Sequence, residues 1–374
     1  MKNLNIKITP KPKDYDICIG YNYLDNLVNE IYQNHKDKKI CIVTDKKVNK
    51  TWGKALGQAL NKREIEHFIV EFPAGEKYKN RETKEAIEED MLEKKCSRDT
   101  ILIAFGGGVV GDVSGFVAST YMRGITYYQV PTTTLAQADS SIGGKTAVDT
   151  KHGKNLIGTF YHPHKVFIDT KLLTTLDNAN YIGGLVEVFK HAIIFDEKFF
   201  EFLNESIEDI LSRKDQVYEN LLPGVLFQNC KIKKEIVSLD PEEKGLRKIL
   251  NFGHTIGHAV ELLTDFKQTH GQAVALGMIC EGFIGWKLGI LKESDYLRIY
   301  NTIEKLGVVE QLLLKDISAE DLYGAMMLDK KVRNKMVEFV MISQIGKIIN
   351  EITFPISKAD IIKIIEDFKR HRFT

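Results

Sequence analysis

A chain of 374 residues with a formal net charge of +1 is long enough for two domains, and its charge balance excludes the strongly basic class that binds nucleic acid or anionic membranes. The five cysteines (Cys18, Cys41, Cys96, Cys230, Cys280) are dispersed with no CxxC spacing, which argues against a disulfide framework and for reduced thiols in a cytosolic protein. No run approaches the ~18 apolar residues of a membrane span, and Met1 to Pro10 lacks the apolar stretch of a secretory signal.

The alternation of Leu4, Ile6 and Ile8 predicts a strand over 2–9, and 16–19 continues a sheet edge. A helix is expected over 23–33. Residues 39–44 form a nearly continuous apolar run, as in a buried parallel strand. The run ends in Asp45, an acid placed either to bond a nucleotide ribose or to cap the next helix. A helix over 51–63 and a strand over 66–72 follow. The loop P-A-G-E-K-Y-K at 73–79 carries Glu76 and Lys79; it either closes on a ribose or only turns a corner. The charges of the helix expected over 80–95 read as a solvated face.

A strand over 100–105 runs into Gly106-Gly-Gly-Val-Val-Gly-Asp112. Glycines between a strand and a helix let backbone N–H groups approach a pyrophosphate. The spacing is GGGxxGD rather than GxGxxG, yet the strand–glycine–helix context suits a dinucleotide. Asp112, one turn into the helix, is an odd choice for packing alone. A strand over 127–130 leads to Pro131-Thr-Thr-Thr134 and then to Asp139-Ser-Ser-Ile-Gly-Gly-Lys-Thr146. The end looks like a P-loop, but Asp139 stands where its first glycine belongs, which excludes that triphosphate motif. What remains is a glycine turn presenting Lys145. Nearby, H-G-K-N-L-I-G adds Lys154 and Asn155, with Lys151 beside them. Lysines on such turns are good anion ligands, or serve solubility. The last strand of this half is expected over 166–169.

From about residue 176 the pattern is helical. Glu187 and Lys190 lie three apart in an apolar helix, so they share a face. A glutamate there is costly unless it is paired or holds a metal. Residues 230–238 form a basic helix with Lys231, Lys233 and Lys234, and Arg247 precedes Asn251 by four. His254 and His258 share one helix face, and His270 lies beyond a loop from which it could close a site. Converging imidazoles suit zinc, although a helix can carry two histidines without one. The HExxH protease motif is excluded because Thr255 follows His254. A small hairpin is expected from 336–342 with 347–351, and Leu328-Asp-Lys-Lys-Val332 precedes it with two more lysines. A nicotinamide cofactor, zinc and an anion pocket together point to oxidation of an alcohol on an acidic, phosphorylated substrate.

These motifs resemble the 3-dehydroquinate synthase family, within the sugar-phosphate cyclases, over essentially the whole chain. The matching stretches are PxGExxK at 73–79, GGGxxGD at 106–112, RG at 123–124, PTTxLAQxDSSxGGKTA at 131–147 and GKNxIGxFxxP at 153–163. In the second half they are GLxEVxK at 184–190, GLRxxLNxGHTxGHA at 245–259, HG at 270–271 and DKK at 329–331.

The resemblance implies a Rossmann-like α/β domain over 1–175, a mainly helical metal- and substrate-binding domain over 176–374, and an active site in the cleft between them. It implies zinc, with cobalt as an alternative, on Glu187, His254 and His270. It implies NAD+ at Asp45, Glu76, Lys79, Gly108, Val109, Val110, Gly111, Asp112, Thr132, Thr133, Asp139, Lys145, Lys154 and the turn Leu172, Leu173, Thr174 and Thr175. Lys233 and Arg247 would meet a substrate carboxylate, and Lys190 and Asn251 its hydroxyls. Lys145, Asn155, His258 and either Lys330 or Lys331 would meet a phosphate. Arg123 would reach the phosphate of a neighbouring subunit, which implies a homodimer. Two positions and one segment depart from the family pattern. Gln272 replaces a glutamate that could orient His270, Val186 replaces a small residue beside Glu187, and Asp240-Pro-Glu-Glu-Lys replaces the usual acidic run.

Overall fold

The computed structural model describes residues 14–265, 267–308, 314–328, 332–333 and 336–373. The strand expected over 2–9, and Lys330 and Lys331, lie outside the described residues.

The first half is a parallel sheet of six strands, ordered β1-β8-β5-β4-β2-β3. In chain order these are β1 (Asp16–Gly20), β2 (Ile40–Asp45), β3 (His67–Phe72), β4 (Ile101–Gly106), β5 (Tyr127–Pro131) and, after an antiparallel pair β6 (Lys145–Thr150) and β7 (Gly153–Phe160), β8 (Lys165–Asp169). Strands β2, β4 and β5 are buried along their whole length, as unbroken apolar runs require when helices cover both faces. Ile40, Ile42, Ile103 and Phe105 face one layer, with Leu27 and Ile31 of α1 (Leu24–His35) and Leu56 and Leu60 from the next helix. Cys41, Val43, Leu102 and Ala104 face the other, the two-residue period of a strand serving both cores.

The helix expected over 51–63 starts earlier. A short α2 (Lys46–Val48) passes through a π turn into α3 (Lys54–Asn61). On the second face lie α4 (Arg81–Glu93) and α5 (Gly108–Thr120). Strand order reverses between β2 and β4, so Asp45 and Gly106 end neighbouring strands at the edge where such sheets take ligands.

The segment 145–160 is a β-hairpin rather than a series of glycine turns. Thr146, Ala147 and Val148 give it strand character, and a Cβ on Gly158 would overlap Ala147, so only glycine fits the close pairing. Lys154 and Asn155 thus sit on β7, and Lys151 at the tip.

The second half packs α6 (Asn178–Phe195), α7 (Glu197–Glu205), α8 (Ile207–Ser212), α9 (Leu222–Leu239), α10 (His254–Leu263), α11 (His270–Lys287), α12 (Glu293–Lys305), α13 (Ala319–Met326) and α14 (Lys358–Phe373). Its core continues into the sheet, because Val166 and Ile168 of β8 share it with α6 and α9. The small hairpin is narrower than expected. Ile342–Gln344 pairs with Lys347–Ile348 across Gly346, whose φ of 81° makes the turn. Met336–Phe339 pairs instead with Phe354–Ile356 and Val332–Arg333.

Candidate active site

Helix α6 begins at Asp177, whose carboxylate accepts from Asn180 N and bonds Lys47 Nζ at 3.0 Å, joining the two halves. Burial raises the Asp177 carboxyl, but the bonds from Asn180 and Lys47 outweigh it and bring it down to about 2. One face of α6 meets α11 at Gly183 and Gly271, where a Cβ on Gly271 would overlap the Gly183 backbone. This contact brings Glu187 opposite His270.

The start of α10 is held by a buried acid. Glu281 on α11 accepts from Gly253 N at 2.7 Å, Thr255 N at 3.1 Å and Ile256 N at 3.3 Å, so its charge meets the positive end of the helix. Gly253, at φ 80°, turns the chain into that position. His254 opens the helix, with Nδ1 3.2 Å from the Phe252 carbonyl, which leaves Nε2 for the site. His270 opens α11 after Thr269, which caps it.

One atom each from Glu187, His254 and His270 lie within 4.8 Å of one another. Glu187 Oε1 is 3.8 Å from His254 Nε2 and 3.6 Å from His270 Nε2. Glu187 is fully buried and ion-paired with Lys190, yet neither carboxylate oxygen completes a well-oriented hydrogen bond among the described residues. Burial works against its charge, but Lys190, His270 and His254 outweigh burial and hold the carboxyl well below its ordinary range. Burial and Lys190 also hold His254 neutral, the form that ligates. Burial pulls His270 down, but the Glu187 and Glu261 carboxylates push it up to about 10. Two imidazoles, of which His270 gives up a proton on ligating, and one under-satisfied buried carboxylate are a donor set that fits zinc or cobalt.

Gln272 does not orient His270. Its side-chain oxygen accepts from Thr269 N at 3.0 Å and completes a capping box. Glu261 takes the orienting place instead, with Oε2 3.4 Å from His270 Nδ1. Val186 is simply buried core.

Beside the triad lies a cluster of cations. Lys233 is buried and meets both the Asp139 carbonyl and its carboxylate, the latter at 2.7 Å. His191 Nε2 is 3.3 Å from the same carboxylate, and its Nδ1 lies 2.8 Å from Asn229 Oδ1. Asn229 also donates to the Ala138 carbonyl, and Gln137 ties Pro131 to Asp169, so the turn that carries Asp139 is pinned from both sides. Arg247 is 2% exposed and donates to the Gly143 and Pro241 carbonyls at 3.0 and 2.6 Å. The 240–245 loop is folded by Asp240, which accepts from the N–H groups of Lys244, Gly245 and Arg247. That places Glu243 against Lys145 on one oxygen and Asn251 Nδ2 at 3.0 Å on the other. His258 completes the histidine group, its ring 5.3 Å from that of His254.

At the carboxyl end of β2, Asp45 accepts from Lys47 N and Val48 N, so the helix cap is the observed role of its Oδ1. Lys79 is buried, 2.5 Å from Asp112 and 2.6 Å from Asn155 Oδ1. Asp112 therefore earns its place on α5 as the partner of Lys79. Lys154 lies 3.9 Å from Glu76 and 3.5 Å from Glu261. Gly107 caps α5, and Gly108 to Gly111 form its first turn, with Val110 and Gly111 buried. A Cβ on Gly107 would press on Thr133, and Thr132 N bonds the Gly106 carbonyl, so the two turns nest. Leu172 and Leu173 are buried in the turn 170–175, and Thr175 takes the Trp52 indole N–H at 2.9 Å. Arg123 lies away from this group, in a turn where Met122, Arg123 and Gly124 all have positive φ.

No sequence motif singles out Glu261, Glu281 or His191, and Glu243 stands only in a segment that departs from the family pattern. Glu281 sits in the apolar run of α11, the same signal that singled out Glu187. Glu243 owes its position to a left-handed φ of 58°, which no sequence pattern announces.

The model of the 3-dehydroquinate synthase N-terminal region matches residues 69–183, and that of the C-terminal region matches 184–332. A 3-dehydroquinate synthase of Thermoanaerobacter pseudethanolicus is 40% identical over 96% of this chain and 99% of its own length. One from Alkaliphilus metalliredigens is 44% identical over 81% of this chain and 83% of its own. Among solved structures, a 2-deoxy-scyllo-inosose synthase complexed with carbaglucose-6-phosphate, NAD+ and Co2+ superposes with a TM-score of 0.84 at 27% identity, covering 94% of this chain and 96% of that one. The fold alone is shared with a 2-epi-5-epi-valiolone synthase from Streptomyces hygroscopicus with NAD+ and Zn2+ bound, at a TM-score of 0.88, 24% identity, and coverage of 98% and 99%. With two family models spanning its site and relatives of such identity along nearly its whole length, the chain belongs to the 3-dehydroquinate synthase family.

Proposed function

We propose that the protein is a 3-dehydroquinate synthase, converting 3-deoxy-D-arabino-heptulosonate 7-phosphate to 3-dehydroquinate and phosphate in the shikimate pathway. The observation that carries this reading is the meeting of a metal-type triad, Glu187, His254 and His270, with the cations Lys145, Lys190, Lys233 and Arg247 across the two halves. The division falls near residue 175, with 1–175 holding the dinucleotide and 176–374 the metal and substrate.

Zinc or cobalt on the triad supplies a Lewis acid, and NAD+ supplies a hydride acceptor that is regenerated each turnover. The chain's own residues position and neutralise. Lys233 and Arg247 bind the substrate carboxylate. Lys190 and Asn251 hold its hydroxyls. Lys145, Asn155, His258 and a lysine of the 329–331 segment receive the phosphate. The Lys145–Glu243 pair opens as that phosphate enters, so Glu243 keeps the pocket neutral when it is empty. Asp112 orients Lys79, and Glu76, Lys79 and Lys154 hold the ribose side of NAD+, with Asp45 and the 172–175 turn. With both cofactors bound, oxidation would acidify the neighbouring C–H, the substrate's own phosphate would take that proton as it leaves, return of the hydride would restore the alcohol and NAD+, and ring opening and aldol closure would complete a carbocycle. Fixed cations around the phosphate lower the barrier without reorganising. A homodimer in the cytoplasm, with Arg123 reaching a neighbouring phosphate, completes the reading.

The test is phosphate release from 3-deoxy-D-arabino-heptulosonate 7-phosphate with catalytic NAD+ and zinc. Release that a chelator abolishes, with no net NADH, supports the proposal. Release from glucose 6-phosphate instead moves the protein to a sister cyclase. Accumulating NADH makes it a dehydrogenase.

A further inference from the structure

We infer that Glu261 is a positioning residue that ties NAD+ binding to metal binding, an inference that rests on the cofactor reading above. Glu261 lies on α10, with its side chain 7% exposed. Oε2 faces His270 Nδ1 at 3.4 Å and Oε1 faces Lys154 Nζ at 3.5 Å. His270 in turn points Nε2 at Glu187, and Lys154 lies 3.9 Å from Glu76. A single file of side chains, Glu76, Lys154, Glu261, His270 and Glu187, therefore runs from the loop after β3, through the β6–β7 hairpin, to the triad.

An imidazole ligand needs a partner on its other nitrogen to fix the ring plane. The acceptor oxygen of Gln272 is taken by Thr269, so this task falls to Glu261. Its other oxygen is held by a lysine on a hairpin whose outer strand β7 is largely exposed. The position of that hairpin decides how firmly Glu261 is set against His270. A dinucleotide that engages Glu76, Lys79 and Lys154 fixes the hairpin through Lys154 and through the Lys79–Asn155 bond. Glu261 is then preset, and the metal meets an oriented ligand. Linkage makes the effect mutual: the metal tightens NAD+ by the same factor.

The experiment uses the full chain and calorimetry of NAD+ with zinc-loaded and zinc-stripped protein. Zinc affinity is read separately, by competition with a chromophoric chelator with and without NAD+. In the parent, each ligand tightens the other by the same factor, roughly fivefold or more. Glu261→Gln weakens zinc by about tenfold or more and brings the mutual factor to about 1. Lys154→Met leaves zinc affinity without NAD+ within about twofold, because Glu261 still faces His270, and also brings the factor to about 1. It serves equally if Glu261→Gln does not fold. Independent binding of both ligands to the parent, or a factor that survives in both variants, overturns the coupling while leaving the cofactor reading intact. A parent that binds no zinc, or no NAD+, overturns both.

Discussion

Glu187 and Lys190 meet in an ion pair one helical turn apart on α6, and neither side chain is open to water. A buried pair is costly to break because one charge is left uncompensated. In Lys190→Met, the metal or, without it, a protonated His270 is left to balance the Glu187 charge. A chelator should therefore destabilise this variant by about 1 kcal/mol or more beyond its effect on the parent. Thermal unfolding with and without chelator checks this; an equal chelator effect in both proteins would separate Lys190 from the metal site.

Arg247→Ala should raise the Kd for substrate by roughly 30-fold or more, as expected for truncating a buried, hydrogen-bonded charge. NAD+ affinity should stay nearly unchanged, because the guanidinium faces Gly143 and Pro241 rather than the glycine turn at 106–111. Calorimetry with each ligand decides it. Equal losses of both affinities would mean the carboxylate pocket lies elsewhere.

Glu243→Gln should tighten binding of inorganic phosphate by a few fold, since it removes a carboxylate that occupies the half-exposed Lys145. Phosphate titration of the two proteins is the measurement. Weaker phosphate binding in the variant would remove Lys145 from the phosphate pocket.

Gly271→Ala should cost about 1–3 kcal/mol by overpacking and should also release the metal, because the added methyl parts α11 from α6 between His270 and Glu187. Metal content after dialysis and the unfolding midpoint report the two effects. Full metal content would mean that this helix contact does not set the triad.

Asp177→Ala should cost about 1 kcal/mol at neutral pH through the lost cap. The sign of its pH dependence follows from a carboxyl lowered to about 2 in the folded chain. Its stabilisation is complete above the ordinary carboxylate value, begins to fade as the unfolded chain takes up protons, and is gone below about 2. Urea titrations from pH 5 downward should show the parent and variant curves converging. A constant gap would assign the effect to packing alone.

The sheet was legible because its central strands are unbroken apolar runs, which leave little choice of structure. The grouping of Glu187, His254 and His270 was legible too, but the route differed by residue. Glu187 betrayed itself as an acid in an apolar helix, whereas the choice of His270 over His258 came only from resemblance. The hairpin at 145–160 was hidden because Gly153 and Gly158 interrupt the strand period, although Gly158 is there to let two strands approach. Asp45 carried two readings, and hydrogen bonds decided only that it caps a helix. The role of Glu261 could not be read at all: it depends on His270, nine positions on, folding back beside it, and on a lysine 107 positions away.

The spacing of the triad has a consequence for how the protein is made. Glu187 and His270 are about 80 residues apart, so at roughly 5–20 residues per second several seconds separate their emergence from the ribosome. A nascent chain that has finished the sheet owns the glycine turn, Lys79 and Asp112, yet has none of the three metal-type ligands. Metal loading therefore waits until α11 has emerged, and a truncated product ending before α11 would keep Glu187, Lys190 and His254 but lack the His270 ligand.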